Sequence, residues 1–92
     1  MVSRAELKNR VCAEIDRARE SIISVGETIM DAPELGFKEF STADRVRETF
    51  DELGVQFQDG LAITGVKGIL RGASPGPTIC LMGELDALQV PD

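Results

Sequence analysis

The chain has 92 residues, 42% of them hydrophobic and 28% charged, with no Trp, Tyr or His. That length makes one small domain or part of a larger one, able to bury only about 60–65% of its unfolded surface. The net charge of −6 disfavours nucleic acid and acidic membrane surfaces as partners, and the lack of histidine excludes Ser-His-Asp or Cys-His catalysis and imidazole metal ligands within these residues.

No apolar run approaches the ~20 residues needed to span a bilayer. The opening "MVSRAELKNR" has no apolar segment of the kind a secretory signal carries. The chain therefore reads as cytoplasmic; Cys12 and Cys80, far apart in unlike contexts, could pair but read better as free, buried thiols in a reducing compartment.

Ser3-Arg4-Ala5-Glu6 fits a capping box. Leu7, Val11, Ile15, Ala18, Ile22, Val25 and Ile29 then recur at helical spacing. This predicts one amphipathic helix from about residue 4 to about residue 30, roughly 40 Å long. Such a helix is longer than a small globule needs, so it is expected to lie across something larger. Gly26 is the expected bend. Pro33 ends the helix, and "DAPELGFKEF" forms a loop. Ser41 or Thr42 caps a second helix carried by Ala43, Val46, Phe50 and Leu53. Gly54 follows as its left-handed terminator, with Val55 folding back.

From Val55 the period changes to two, with Val55 and Phe57 set against Gln56 and Gln58. Asp59-Gly60 is a hairpin turn signal. In "LAITGVKGIL", Gly65 and Gly68 point to a bulge or a close backbone approach. "GASPGP" is a turn, and Thr78–Met82 is apolar on both faces, as a central strand is. The order is helix, helix, strand, strand, strand. The predicted class is α/β, a fragment of a three-layer domain with Thr78–Met82 central in a mixed sheet. Covering both faces of that sheet needs more chain than these residues supply.

Glu84 and Asp86 follow that strand. In extended backbone they project to one side, about 7 Å apart. At the carboxyl end of a strand in an open α/β sheet, two such acids can hold a divalent cation or share a proton. Acids are equally common where a strand simply runs into solvent. Asp31, Glu34 and Glu39 lie in the preceding loop and read as solvated. Cys80, mid-strand, reads as a small buried hydrophobe.

Taken in order, "PELGFKEFSTADRVRETFDELGV" and "TGVKGILRGASPGPTICLMGELDAL" resemble the M20 family of metal-dependent peptidases and amidohydrolases. The resemblance runs from about Ile22 to Leu88 and is closest to the amidohydrolase branch, which cleaves N-acyl or aryl amides of amino acids. It implies that Asp86 matches the Asp of the family's His-x-Asp motif, a group that orients a metal ligand. Glu84 stands where many members have the metal-binding His. The amidohydrolase branch commonly lacks that His and takes a ligand from a downstream Cys-Gly-His segment. Asp31 replaces the usual His before Pro-Glu-Leu, and Gln89 replaces the usual Pro after Asp-Ala-Leu.

By this resemblance, residues 1–92 are an N-terminal part of a catalytic domain. The cofactor is a divalent metal, zinc by analogy, with most ligands outside the chain. The expected partner is the remainder of the same polypeptide or a complementary chain, with oligomer formation, and these residues alone should be inactive. A non-catalytic reading stands beside it: a small acidic α+β module that binds a protein partner through an uncovered sheet.

Overall fold

The computed structural model describes residues 1–90. Ser3 stands in extended conformation ahead of the first helix, α1 (Arg4–Arg17), and its hydroxyl accepts the Glu6 N–H at 3.1 Å. That satisfies one of the donors a helix start leaves open. A second helix, α2, spans Arg19–Asp31. The single helix expected over this stretch is thus interrupted, and the interruption is at Ala18 rather than Gly26, which lies inside α2. Ala18 leaves helical geometry at φ −90°, ψ 7°. Its N–H still reaches the Glu14 carbonyl, and its own carbonyl accepts from Ile22, both at 3.0 Å. The ladder therefore passes through the break and the apolar spacing survives it, so the periodicity alone reads as continuous. Arg17 and Glu14 form an exposed i,i+3 ion pair at 2.9 Å.

Met1–Asp31 forms one compact unit, and a second begins at Ala32. Neither helix of the first unit contains a buried residue, and Leu7, Val11, Ile15 and Ile22 are all exposed.

The second unit is built on α3 (Phe40–Leu53) and a hairpin of β1 (Gln56–Leu61) and β2 (Gly65–Ile69). The end of α3 follows the sequence signal. Gly54 turns left-handed at φ 71°, its N–H bonds the Asp51 carbonyl at 3.1 Å, and the Val55 N–H reaches back to Phe50 at 2.9 Å. This is a Schellman ending, which occupies carbonyls that would otherwise be open. The chain then enters β1 with Val55 and Phe57 half-buried and Gln56 and Gln58 exposed.

The strands pair antiparallel, with Gln56 opposite Ile69, Phe57 opposite Gly68, Gln58 opposite Lys67 and Leu61 opposite Gly65. The register slips between Gln58 and Leu61. Asp59-Gly60 therefore forms a bulge inside β1 rather than the predicted turn, with Gly60 at φ 68°. The reversal occurs at Ala62–Thr64, where Ala62 (φ 45°) and Ile63 (φ 78°) take positive φ. A glycine in left-handed geometry serves a bulge as well as a turn, so the dipeptide does not separate the two.

Phe50 of α3 packs on Phe57 of β1 with ring centroids 6.0 Å apart. Its ring also approaches Gly68 closely enough that a Cβ there would lie 3.0 Å away. Arg47 reaches Asp59 at 3.6 Å, a partly exposed pair worth little by itself. Among the described residues of this unit Ala43 is the buried apolar one, with Thr42, Thr64 and Glu39 the buried polar ones.

Beyond β2, residues 70–90 form neither helix nor strand. Thr78–Met82, expected as a central strand, has no ladder partner among the described residues, and Ile79 and Leu81 are 86% and 96% exposed. A strand exists only through pairing, and β1 and β2 pair with each other. The described residues thus form a fragment of an α/β domain with a two-stranded antiparallel sheet, without the three-layer core and its third strand. Cys80 lies in this unpaired stretch and Cys12 on the uncovered α1. Both are free as expected, but exposed rather than buried.

Candidate functional site

Among the loop acids the largest departure from expectation is Glu34. It is half-buried, and its carboxylate caps α3 from outside the helix. Oε2 accepts the Ser41 N–H at 3.1 Å, and Oε1 accepts both the Thr42 N–H at 2.6 Å and the Thr42 hydroxyl at 2.7 Å. Neither Ser41 nor Thr42 is itself the cap, since the residue at that position is Glu39 and its side chain makes no capping bond. The Thr42 hydroxyl, followed by the Thr42 and Ser41 amides, holds the Glu34 carboxyl below its ordinary range, with burial opposing them. A carboxylate at a helix N-terminus also gains from the helix dipole. Glu39 is buried, and its Oε1 has no partner among the described residues.

The loop that carries Glu34 is tight. The Lys38 N–H bonds the Leu35 carbonyl at 2.9 Å, and Phe37 takes φ 62°. This loop holds the carboxylate segment. The Ala87 N–H donates to the Glu34 carbonyl at 2.7 Å. A Cβ built on Gly36 would lie 4.0 Å from Oδ2 of Asp86, so the Asp86 side chain lies over that glycine. Glu84 and Asp86 are exposed while Leu85 and Ala87 are half-buried. That is the alternation an extended backbone gives.

The structure therefore brings together Glu34, Gly36, Thr42, Asp86 and Ala87, joining the Pro-Glu-Leu loop, the start of α3 and the Asp-Ala-Leu segment. Asp31 ends α2 in the other unit and belongs to a separate body. Among the described residues no three His, Cys, Asp or Glu side chains gather as a metal cluster. The donors present, Glu84 and Asp86, do not make a metal site by themselves. An open groove on the hairpin, lined by Phe57, Lys67, Ile69 and Arg71, includes neither of these acids.

No family model matches the chain, and no solved structure matches it significantly. Curated relatives do. Thermostable carboxypeptidase 2 of Saccharolobus solfataricus is 35% identical over 86 residues, covering 92% of this chain and 22% of the relative. The amidohydrolase-like YhaA of Bacillus subtilis is 29% identical over 99% of this chain and 23% of its own length. IAA-amino acid hydrolase ILR1-like 5 of Arabidopsis thaliana is 32% identical over 75% of this chain and 16% of its own length.

These matches are consistent with a fragment of an M20-family protein.

The chain spans about a fifth of the length of the curated relatives it matches. The match to YhaA covers 99% of the chain and so takes in Glu34, Glu84 and Asp86. The names of these relatives are those of a carboxypeptidase, an amidohydrolase and an amino acid hydrolase. Among the described residues no helix is long and apolar enough to cross a membrane.

Proposed function

We propose that this chain is part of a metal-dependent hydrolase that cleaves an amide bond in N-acyl or aryl-amide amino acids or small peptides. The observation that carries the reading is the tie between the Pro-Glu-Leu loop and the Asp86 segment. The two stretches that carry the family resemblance meet in space through the Ala87–Glu34 bond. One relative is named as an IAA-amino acid hydrolase.

In this reading Asp86 orients a ligand of a divalent metal, zinc by the resemblance, and Glu84 offers a further carboxylate beside it. Two exposed acids do not complete such a site. The remaining ligands and the proton-transferring base would come from outside these residues, in the remainder of a longer polypeptide or a complementary chain. That partner would also cover the exposed apolar stretch from Ile79 to Met82. The free thiols of Cys12 and Cys80 suit a reducing cytoplasm.

The test is amide hydrolysis, measured on N-acyl amino acids with added divalent metal. A longer polypeptide carrying residues 1–92 is expected to be active, and the 92 residues alone are expected to be inactive. In the longer protein Asp86→Ala should lower kcat by about 10–100-fold, the usual cost of removing a group that orients a metal ligand. Inactivity of the longer polypeptide, or unchanged turnover in Asp86→Ala, would overturn the reading.

A further inference from the structure

Glu34 uses both ends of its residue, and on different elements. Its carboxylate takes three donors from the first turn of α3, two amides and a hydroxyl. Its backbone carbonyl takes the Ala87 N–H at 2.7 Å, the hydrogen bond that ties residues 70–90 to the rest of the described chain. Two residues on, Gly36 lies beneath the Asp86 carboxylate. The tail has no secondary structure to fix its path, so the position of Asp86 depends on where this loop stands. The loop in turn is fixed to α3 by the Glu34 side chain. Thr42, which supplies two of the three donors, is 3% exposed, so this end of the tie is anchored in the packed part of the unit.

We propose that Glu34 is the positioning residue for Asp86: its carboxylate clamps the loop onto α3, and its carbonyl thereby sets the Asp86–Ala87 backbone. The catalytic consequence rests on the reading of Asp86 given above, but the clamp itself is a property of this chain and is tested without any assay of hydrolysis.

A mere helix cap and a clamp differ in what they do to the tail. Removing a cap frays the first turn of α3 and leaves Ala87 as it was. Removing a clamp releases Ala87 even where α3 and the hairpin persist. Single-residue amide hydrogen exchange in the longer polypeptide that carries residues 1–92, with the β1–β2 amides as the internal reference, separates them. In Glu34→Ala the Ala87 amide should exchange several-fold faster relative to the hairpin. Glu34→Gln keeps one oxygen for Thr42 but presents an amide to the Ser41 N–H, and a smaller loss is expected.

The unmodified chain should also release Ala87 at low pH. The folded Glu34 carboxyl is held below its ordinary range. The clamp is therefore complete above the ordinary glutamate range and lost as pH falls through the lower, folded one. In Glu34→Gln the acid-induced loss of Ala87 protection, taken relative to the hairpin amides, should shrink, a signature that fraying alone would not produce; Asp86, exposed and adjacent to Ala87, stays ionisable in both proteins. Should Glu34→Ala unfold, Glu34→Gln decides. Faster Ala87 exchange with a protected hairpin supports the proposal. Unchanged Ala87 exchange in a folded variant overturns it, whatever the hydrolysis assay on the longer polypeptide shows.

Discussion

Gly65 and Gly68 both sit on β2, and the atoms that crowd them differ in kind. A Cβ at Gly65 would lie 2.5 Å from the Leu61 carbonyl oxygen, a backbone atom fixed by the hairpin. A Cβ at Gly68 would lie 3.0 Å from the tip of the Phe50 ring and 3.1 Å from a Val55 methyl, both side-chain atoms that can shift slightly. Gly65→Ala should therefore cost about 2–3 kcal/mol, at the upper end of overpacking penalties. Gly68→Ala should cost about 1 kcal/mol, because reduced freedom in the unfolded chain offsets part of the crowding. Urea midpoints of the two variants give the order, and a smaller loss for Gly65→Ala would contradict it. These glycines were legible in the sequence as sites of close approach. Glu34 was not, because its donors lie seven and eight residues away and only the folded loop brings them to it. A carboxylate a few residues ahead of a helix start carries no local signature when it caps through space.

At the scale of elements, the most legible feature is the end of α3, where chemistry and position coincide. Gly54 holds φ 71° with nothing within 4 Å of a built Cβ, so its requirement is conformational and not steric. Gly54→Ala should destabilise the helix–hairpin unit by about 1 kcal/mol, the cost of a left-handed residue that carries a side chain. Thermal melting followed by circular dichroism checks this, and an unchanged midpoint would show that the turn can relax. The break between α1 and α2 was invisible for the opposite reason: the hydrogen bonds run on through Ala18, and no Gly or Pro marks it. The hairpin was legible in its alternation, Val55 and Phe57 inward, but its turn was displaced by the bulge at Gly60. The apolar run of Thr78–Met82 encodes a preference for cover on two faces. It does not encode the neighbouring strands that would give it, and no strand forms there.

For the molecule as a whole, the balance of buried and exposed apolar surface decides behaviour. Among the described residues Ala43 is the buried hydrophobic one, whereas Leu70, Ile79, Leu81, Met82 and Leu88 are each more than four-fifths exposed. Apolar surface of this extent favours association, and an unpaired apolar segment adds backbone groups open to pairing with another chain. We expect the purified chain to sediment as a concentration-dependent mixture at micromolar levels, with Leu81→Lys and Met82→Lys together shifting it towards monomer. A monodisperse monomer with a cooperative melt would show that these residues suffice for a self-contained fold. The contact between α3 and the hairpin has an optical corollary. The Phe50–Phe57 pair joins the two elements at 6.0 Å, and the sequence has neither Trp nor Tyr, so the protein is almost transparent at 280 nm. An indole installed at half-buried Phe57 would be its sole near-ultraviolet chromophore of any strength, and its fluorescence would report the docking of α3 on the hairpin with no background to subtract.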